Sequence, residues 1–79
     1  MKINEAISRK LLKICKEKKI SVNKLATICC LTQSTVQNLI ECNSKNPKLL
    51  TIVRICDGLD ISLTEFFDDE IFSNIERED

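Results

Sequence analysis

The sequence predicts an all-α fold, a compact five-helix domain, on three observations. Apolar residues recur at spacings of three and four along successive segments, the periodicity of one buried helix face. Ser21, Thr32 and Ser62 stand just ahead of such segments, where a hydroxyl oxygen accepts from the unpaired N–H groups of a first helical turn. No segment carries a dependable strand signal, and the connections are short, so the helices have to pack on one another around one core.

In chain order, the first helix is expected over residues 4–18, with Ile3, Ile7, Leu11 and Ile14 on one face, Cys15 at its edge and an outer face made mostly of lysine. Ile20 then plugs the corner before the next helix. Ser21 opens a second helix whose Val22, Leu25, Ala26 and Cys29 fall at i, i+3, i+4 and i+7, ending near Cys29. Thr32 opens a third. Its apolar side holds Val36, Leu39 and Ile40; the opposite side holds Gln33, Ser34, Gln37, Asn38 and Glu41. Solvated helix faces usually carry Lys and Glu. Gln and Asn instead set a donor and an acceptor on one planar group, the geometry that pairs with base edges.

Residues 42–46 are polar and turn-forming, and Asn46-Pro47 reads as a helix start with Pro at the first helical position. Leu49, Ile52, Ile55, Cys56 and Leu59 then share a core face, and Asp60 ends that helix. After Ile61, Ser62-Leu63-Thr64-Glu65 has the form of a capping box, opening a fifth helix with Phe66 and Phe67 as core. Residues 68–79 form an acidic C-terminal extension to the domain of residues 1–67. Phe67, Ile71 and Ile75 lie at i, i+4 and i+8, with Phe72 beside them, so this segment is expected to continue the fifth helix as an apolar stripe that needs a partner.

Seventy-nine residues make one small domain, too short for a separate ligand-binding domain. No apolar run is long enough to span a membrane and no signal-peptide apolar region stands at the start, which leads to the expectation of a soluble, cytoplasmic protein. Net charge is zero but unevenly spread. Residues 1–56 carry +8 and residues 57–79 carry −8, a basic body suited to phosphate with an acidic tail. Of the five cysteines, Cys15, Cys29 and Cys56 fall on or beside apolar faces as small hydrophobes, whereas Cys30 and Cys42 lie in turns, where an accessible thiol is open to redox chemistry. Without His or paired C-x2-C spacing there is no metal site, and no cofactor or small-molecule ligand is indicated. Nor is there a catalytic constellation, so the expectation is a non-enzyme.

Leu25-Ala26, the segment TQSTVQNLIE, Asn46-Pro47 and the run ICDGLDISLTEFF occur in an order and spacing that resemble the Cro/phage-repressor (Xre) type of helix-turn-helix domain over about residues 3–67. The resemblance implies a lambda-repressor-like fold, with residues 22–29 as the positioning helix and 33–41 as the recognition helix in the major groove of double-stranded DNA. Four departures stand out. Lys19 and Cys30 occupy positions where the family often has Gly, and a Cβ at positive φ there costs roughly 1 kcal/mol. Cys15 and Ile40 occupy positions where many relatives bury an Arg–Glu pair, and losing both partners together avoids stranding a charge. Val22 stands where relatives often have a backbone-contacting Gln.

Carried over position by position, the resemblance implies base reading by Gln33, Ser34 and Asn38, and backbone contacts by Thr32, Thr35, Gln37, Lys45 and Lys48. It also implies a repressor acting as a homodimer, for which Phe67, Ile71, Phe72 and Ile75 are the expected interface. The rival expectation is a protein-interaction module, an antitoxin-like accessory that keeps the shape with weak or no DNA binding. Zero net charge favours it; the amide-rich face argues against it, since protein interfaces are enriched in apolar anchors.

Overall fold

A computed structural model describes residues 1–77 of the chain. Among these residues the elements are α1 (Ile3–Lys18), α2 (Val22–Ile28), α3 (Gln33–Ile40), α4 (Leu49–Leu59), α5 (Leu63–Phe67) and a single 3-10 turn, Glu70–Phe72. The architecture is all-helical, as the periodicity requires.

The local signals act where the sequence places them. The Ser21 hydroxyl accepts from Lys24 N–H at 3.0 Å, and the Thr32 hydroxyl accepts from Thr35 N–H at 3.2 Å. At α5 the capping box closes both ways: Glu65 N–H donates to Ser62 Oγ (3.0 Å) and Ser62 N–H donates to Glu65 Oε1 (3.3 Å). Ile7, Leu11, Ile14 and Cys15 of α1 meet Leu25, Ala26 and Cys29, Val36 and Leu39, Ile52, Ile55, Cys56 and Leu59, and Phe66 in one buried cluster. Ile20 packs half-buried against it, as expected of a corner residue.

Among the described residues, non-glycine residues hold every left-handed position. Lys19 (φ 56°), Cys30 (φ 55°), Cys42 (φ 59°) and Asp60 (φ 57°) each take it at a helix end, so the same turns form without glycine at a cost of roughly 1 kcal/mol each. The one glycine, Gly58, serves packing instead. A Cβ there would lie 2.7 Å from Cys29 Cα and 2.8 Å from its Sγ, so α4 approaches the end of α2 closely only because position 58 lacks a side chain. The Cys29 thiol fills that contact and donates to Ile55 C=O at 3.6 Å. Burial pushes the Cys29 thiol up to about 11, and those of Cys15 and Cys56 up as well, which leaves all three protonated and packed as apolar filler. Cys30 is exposed and Cys42 half-buried.

Two expectations need correction. α4 starts at Leu49, two residues beyond Pro47, with Lys48 as its N-cap residue. Leu49 therefore sits in the first turn at 62% exposure rather than on the core face, and Leu50 beside it is 60% exposed. Separately, the Ser8 hydroxyl of α1 donates to Ile40 C=O at 2.6 Å, while Cys15 lies in the core and Ile40 packs half-buried against it. Second, α5 does not continue as a helix past Phe67. Asp68 (φ −83°, ψ 73°) leaves the helix, and Asp69 caps the 3-10 turn by accepting from Ile71 N–H at 3.0 Å.

Two tertiary interactions explain that break. The Phe72 ring folds back to 4.9 Å from Phe67 and 5.9 Å from Phe66, a cluster that a straight helix would pull apart. The Asp69 carboxylate accepts from both Lys10 Nζ (2.9 Å) and Lys13 Nζ (2.7 Å) of α1. Those bonds, led by Lys13, hold the Asp69 carboxyl well below the usual carboxylate range, and the same carboxylate raises Lys13. Further along, Glu76 N–H donates to Met1 C=O at 2.9 Å while its carboxylate pairs with the N-terminal ammonium at 3.0 Å. The acidic tail is thus tied along α1 by charge of the opposite sign.

Candidate nucleic-acid interface

The interface is built on α3. Leu39 and Val36 sink into the core, and the Schellman-type turn at Cys42 closes the helix, with Asn43 N–H donating to Asn38 C=O at 3.0 Å. With one face buried, the other is fixed by helix geometry: Gln33, Ser34, Gln37, Asn38 and Glu41 are all exposed, as the sequence predicts. The α1 side holds this element from below. Besides the Ser8 bond, buried Asn4 donates from Nδ2 to Ser44 C=O at 3.1 Å, and the Cys42 thiol donates to Asn4 C=O at 3.7 Å. These three contacts, one to the last residue of α3 and two to the turn after it, are what aim α3.

At the first turn Thr32 and Thr35 share a hydrogen bond between hydroxyls at 2.8 Å. One proton of the two is used there, which leaves the other free to donate, for instance to a phosphate oxygen. The side chains of Gln33 and Ser34 make no hydrogen bond to other described residues, so their polar groups are available to an incoming ligand. At the last turn the side chains are engaged with one another. Gln37 Nε2 donates to Glu41 Oε2 at 3.0 Å, and Asn43 Nδ2 donates both to Asn38 Oδ1 at 3.0 Å and to Glu41 Oε1 at 3.3 Å.

A cleft of about 550 Å³ between α3 and the start of α4 brings Thr35 and Asn38 together with Ser44, Asn46, Lys48 and Arg54. Lys48 lines this cleft beside Thr35 and Asn38 of α3. Lys45 is exposed in the connecting loop. Arg54 was not read from the sequence as part of this surface, because its position on α4 becomes adjacent to α3 only after folding. It is exposed, makes no ion pair among the described residues, and also borders the turn containing Cys30. Asn43, Asn4 and Ser8 were missed for the same reason: each acts through a backbone or side-chain group remote in sequence or brought near by a left-handed turn. Among the described residues no group of His, Cys, Asp or Glu is placed to hold a metal ion, and no helix is long and apolar enough to cross a membrane.

Comparison with known proteins agrees with this geometry. No curated protein matches the chain. The crystal structure of the prophage Lp1 protein 11 superposes with a TM-score of 0.80 at 34% sequence identity, covering 95% of this chain and 100% of that one. A model of the Cro/C1-type HTH DNA-binding domain matches residues 10–70, a span that contains α2, the turn and α3 at its centre. The chain therefore belongs to the Cro/C1-type HTH DNA-binding domain family.

Proposed function

We propose that the protein is a sequence-specific transcriptional regulator, a repressor, that lays α3 in the major groove of double-stranded DNA. The observation that carries this is the exposed face of α3, where amides and a hydroxyl stand in place of the usual charged residues while the opposite face is locked into the core. Gln33, unencumbered at the first turn, reads an adenine by bonding N6 and N7 with one amide; Ser34 and Asn38 read neighbouring base edges. Thr32, Thr35, Gln37, Lys45 and Lys48 contact the phosphate backbone, and Arg54 joins them through the shared cleft. Thiols left unpaired suit the reducing cytoplasm, where the protein would meet DNA.

Repression through two half-sites belongs to the same proposal. Two copies related by a two-fold axis would set their recognition helices about 34 Å apart on a near-palindromic operator. Phe67, Ile71, Phe72 and Ile75 remain half-buried at the end of the chain and form the proposed contact, now as a packed turn rather than a helical stripe. Ile75→Glu should then yield a monomer by sedimentation with lost preference for paired half-sites; an unaltered dimer excludes this surface.

Selection of bound duplexes from a random pool tests the main proposal. A defined, near-palindromic sequence bound well above random DNA is the expected result. Failure to select any sequence, together with elution from heparin at low salt, would favour the interaction-module reading instead.

A further inference from the structure

A primary amide on an unrestrained side chain turns either end outward, so it offers a base a donor or an acceptor equally well. The last turn of α3 removes that freedom. We propose that Asn43, with Glu41 behind it, is a specificity-determining residue that fixes the polarity of the reading face, so that Asn38 offers donors to the bases. This deepens the proposed DNA reading and rests on it.

Cys42 at φ 59° reverses the chain, and Asn43 N–H bonds Asn38 C=O at 3.0 Å, which brings residue 43 back over residue 38. The Asn43 amide then spans Asn38 Oδ1 (3.0 Å) and Glu41 Oε1 (3.3 Å), both through Nδ2. An ionised carboxylate only accepts, so Glu41 dictates which end of each neighbouring amide faces it. Asn43 has to turn its NH2 toward Glu41; that NH2 also reaches Asn38, which answers with its oxygen and so turns its own NH2 outward. Gln37 likewise turns its NH2 toward the other Glu41 oxygen at 3.0 Å, which leaves its second N–H for a backbone phosphate. The contacts of Asn4, Ser8 and Cys42 hold the whole turn against α1, which keeps the network from moving as a body.

An outward NH2 at residue 38 suits acceptor-bearing edges, guanine O6 and N7 or thymine O4, and weakens the two-point amide contact with adenine because one lone pair of Oδ1 is already held. Asn43 is a positioning residue here, since it acts through Asn38.

Selection from a random duplex pool is run on the wild type, Asn38→Ala, Asn43→Ala and the charge-conserving double variant Glu41→Gln with Asn43→Asp, with thermal melting followed by circular dichroism as the check on folding. Asn38→Ala identifies the base position read by residue 38. At that position Asn43→Ala, which frees the amide, is expected to lower discrimination by about tenfold without changing affinity for random DNA. The double variant moves the carboxylate to residue 43, which captures the Asn38 NH2 and turns Oδ1 outward; its preference there should pass to donor-bearing bases, cytosine or adenine. If the double variant melts early, Asn43→Ala alone decides. The inference is overturned if the wild type selects a defined sequence and Asn43→Ala selects the same one with equal discrimination. A wild type that selects nothing overturns the DNA-reading proposal itself and this inference with it.

Discussion

The two ends of α3 solve the same problem in opposite ways. At the first turn the backbone is capped by Thr32, but the side chains of Gln33 and Ser34 have no partner among the described residues. At the last turn Gln37, Asn38, Glu41 and Asn43 are tied together, and Asn4, Ser8 and Cys42 pin the turn to α1. An open end adapts to its ligand and loses side-chain entropy on binding, whereas a closed end has lost that entropy on folding and presents one fixed pattern. The contrast teaches that burial of one helix face sets where a reading surface points, and the polar network at a helix terminus sets what it offers.

Breaking the open end should have the largest effect on DNA. Gln33→Ala is expected to cost about 1–3 kcal/mol on the selected site and little on random DNA, as measured by titration at fixed salt. Breaking the anchor of the closed end should act on the fold first. Ser8→Ala leaves the Ile40 carbonyl without its hydroxyl donor and should lower stability by about 1 kcal/mol or more in urea unfolding, with faster amide exchange at residues 40–43. The matched change at the open end, Thr32→Ala, removes an N-cap and should cost about 1 kcal/mol, with exchange accelerated at residues 33–35 instead. If both variants loosen the same residues, the two ends are not independent.

Lys48 lines the α3–α4 cleft with Thr35 and Asn38 and is proposed to meet phosphate rather than bases. Lys48→Ala should weaken selected and random DNA alike and reduce the salt slope by about one unit. The tail gives a contrast that depends on pH. Because Asp69 has its carboxyl pKa depressed in the folded protein, its charge contributes stability above the ordinary carboxylate range, near pH 4, and that contribution fades as pH falls through the depressed value. The melting temperature of Asp69→Asn should accordingly lie below that of the wild type at pH 7, the gap narrowing as pH is lowered beneath 4. The smallest effect concerns thiols: alkylation of the native protein should reach exposed Cys30 first, then Cys42, and leave Cys15, Cys29 and Cys56 to the unfolded state.

What was legible in the sequence was what local chemistry controls. Ser21, Thr32 and the Ser62–Glu65 box are capping signals that act within one turn, and the 3.6-residue period of Ile7, Leu11 and Ile14 or of Ile52, Ile55 and Leu59 is enforced by the core itself. Leu49 shows the limit of that reasoning: its spacing fits the core face, but α4 begins only at residue 49, and the first turn lies outside the core. The tail shows a second limit. Phe67, Ile71 and Ile75 fit a helical stripe, yet three residues in a run with low helix preference are outweighed by two lysines and two phenylalanine rings that the sequence places far away or in the wrong register. Of the reading surface, the exposed positions on α3 follow from periodicity. The Asn43 contact does not, because it depends on a left-handed Cys42 that no composition rule announces.

The central claim is that the amide face of α3 meets base edges, and side-chain amide resonances report on it directly. Uniformly ¹⁵N-labelled protein would be titrated with the selected duplex and, separately, with a scrambled duplex of the same length. The side-chain NH2 signals of Gln33 and Asn38, with the backbone signals of residues 32–38, are expected to shift strongly with the selected duplex and weakly with the scrambled one, while Lys48 and Arg54 shift with both. Shifts concentrated on α5 and residues 70–76, with the Gln33 and Asn38 amides unmoved, would contradict that claim.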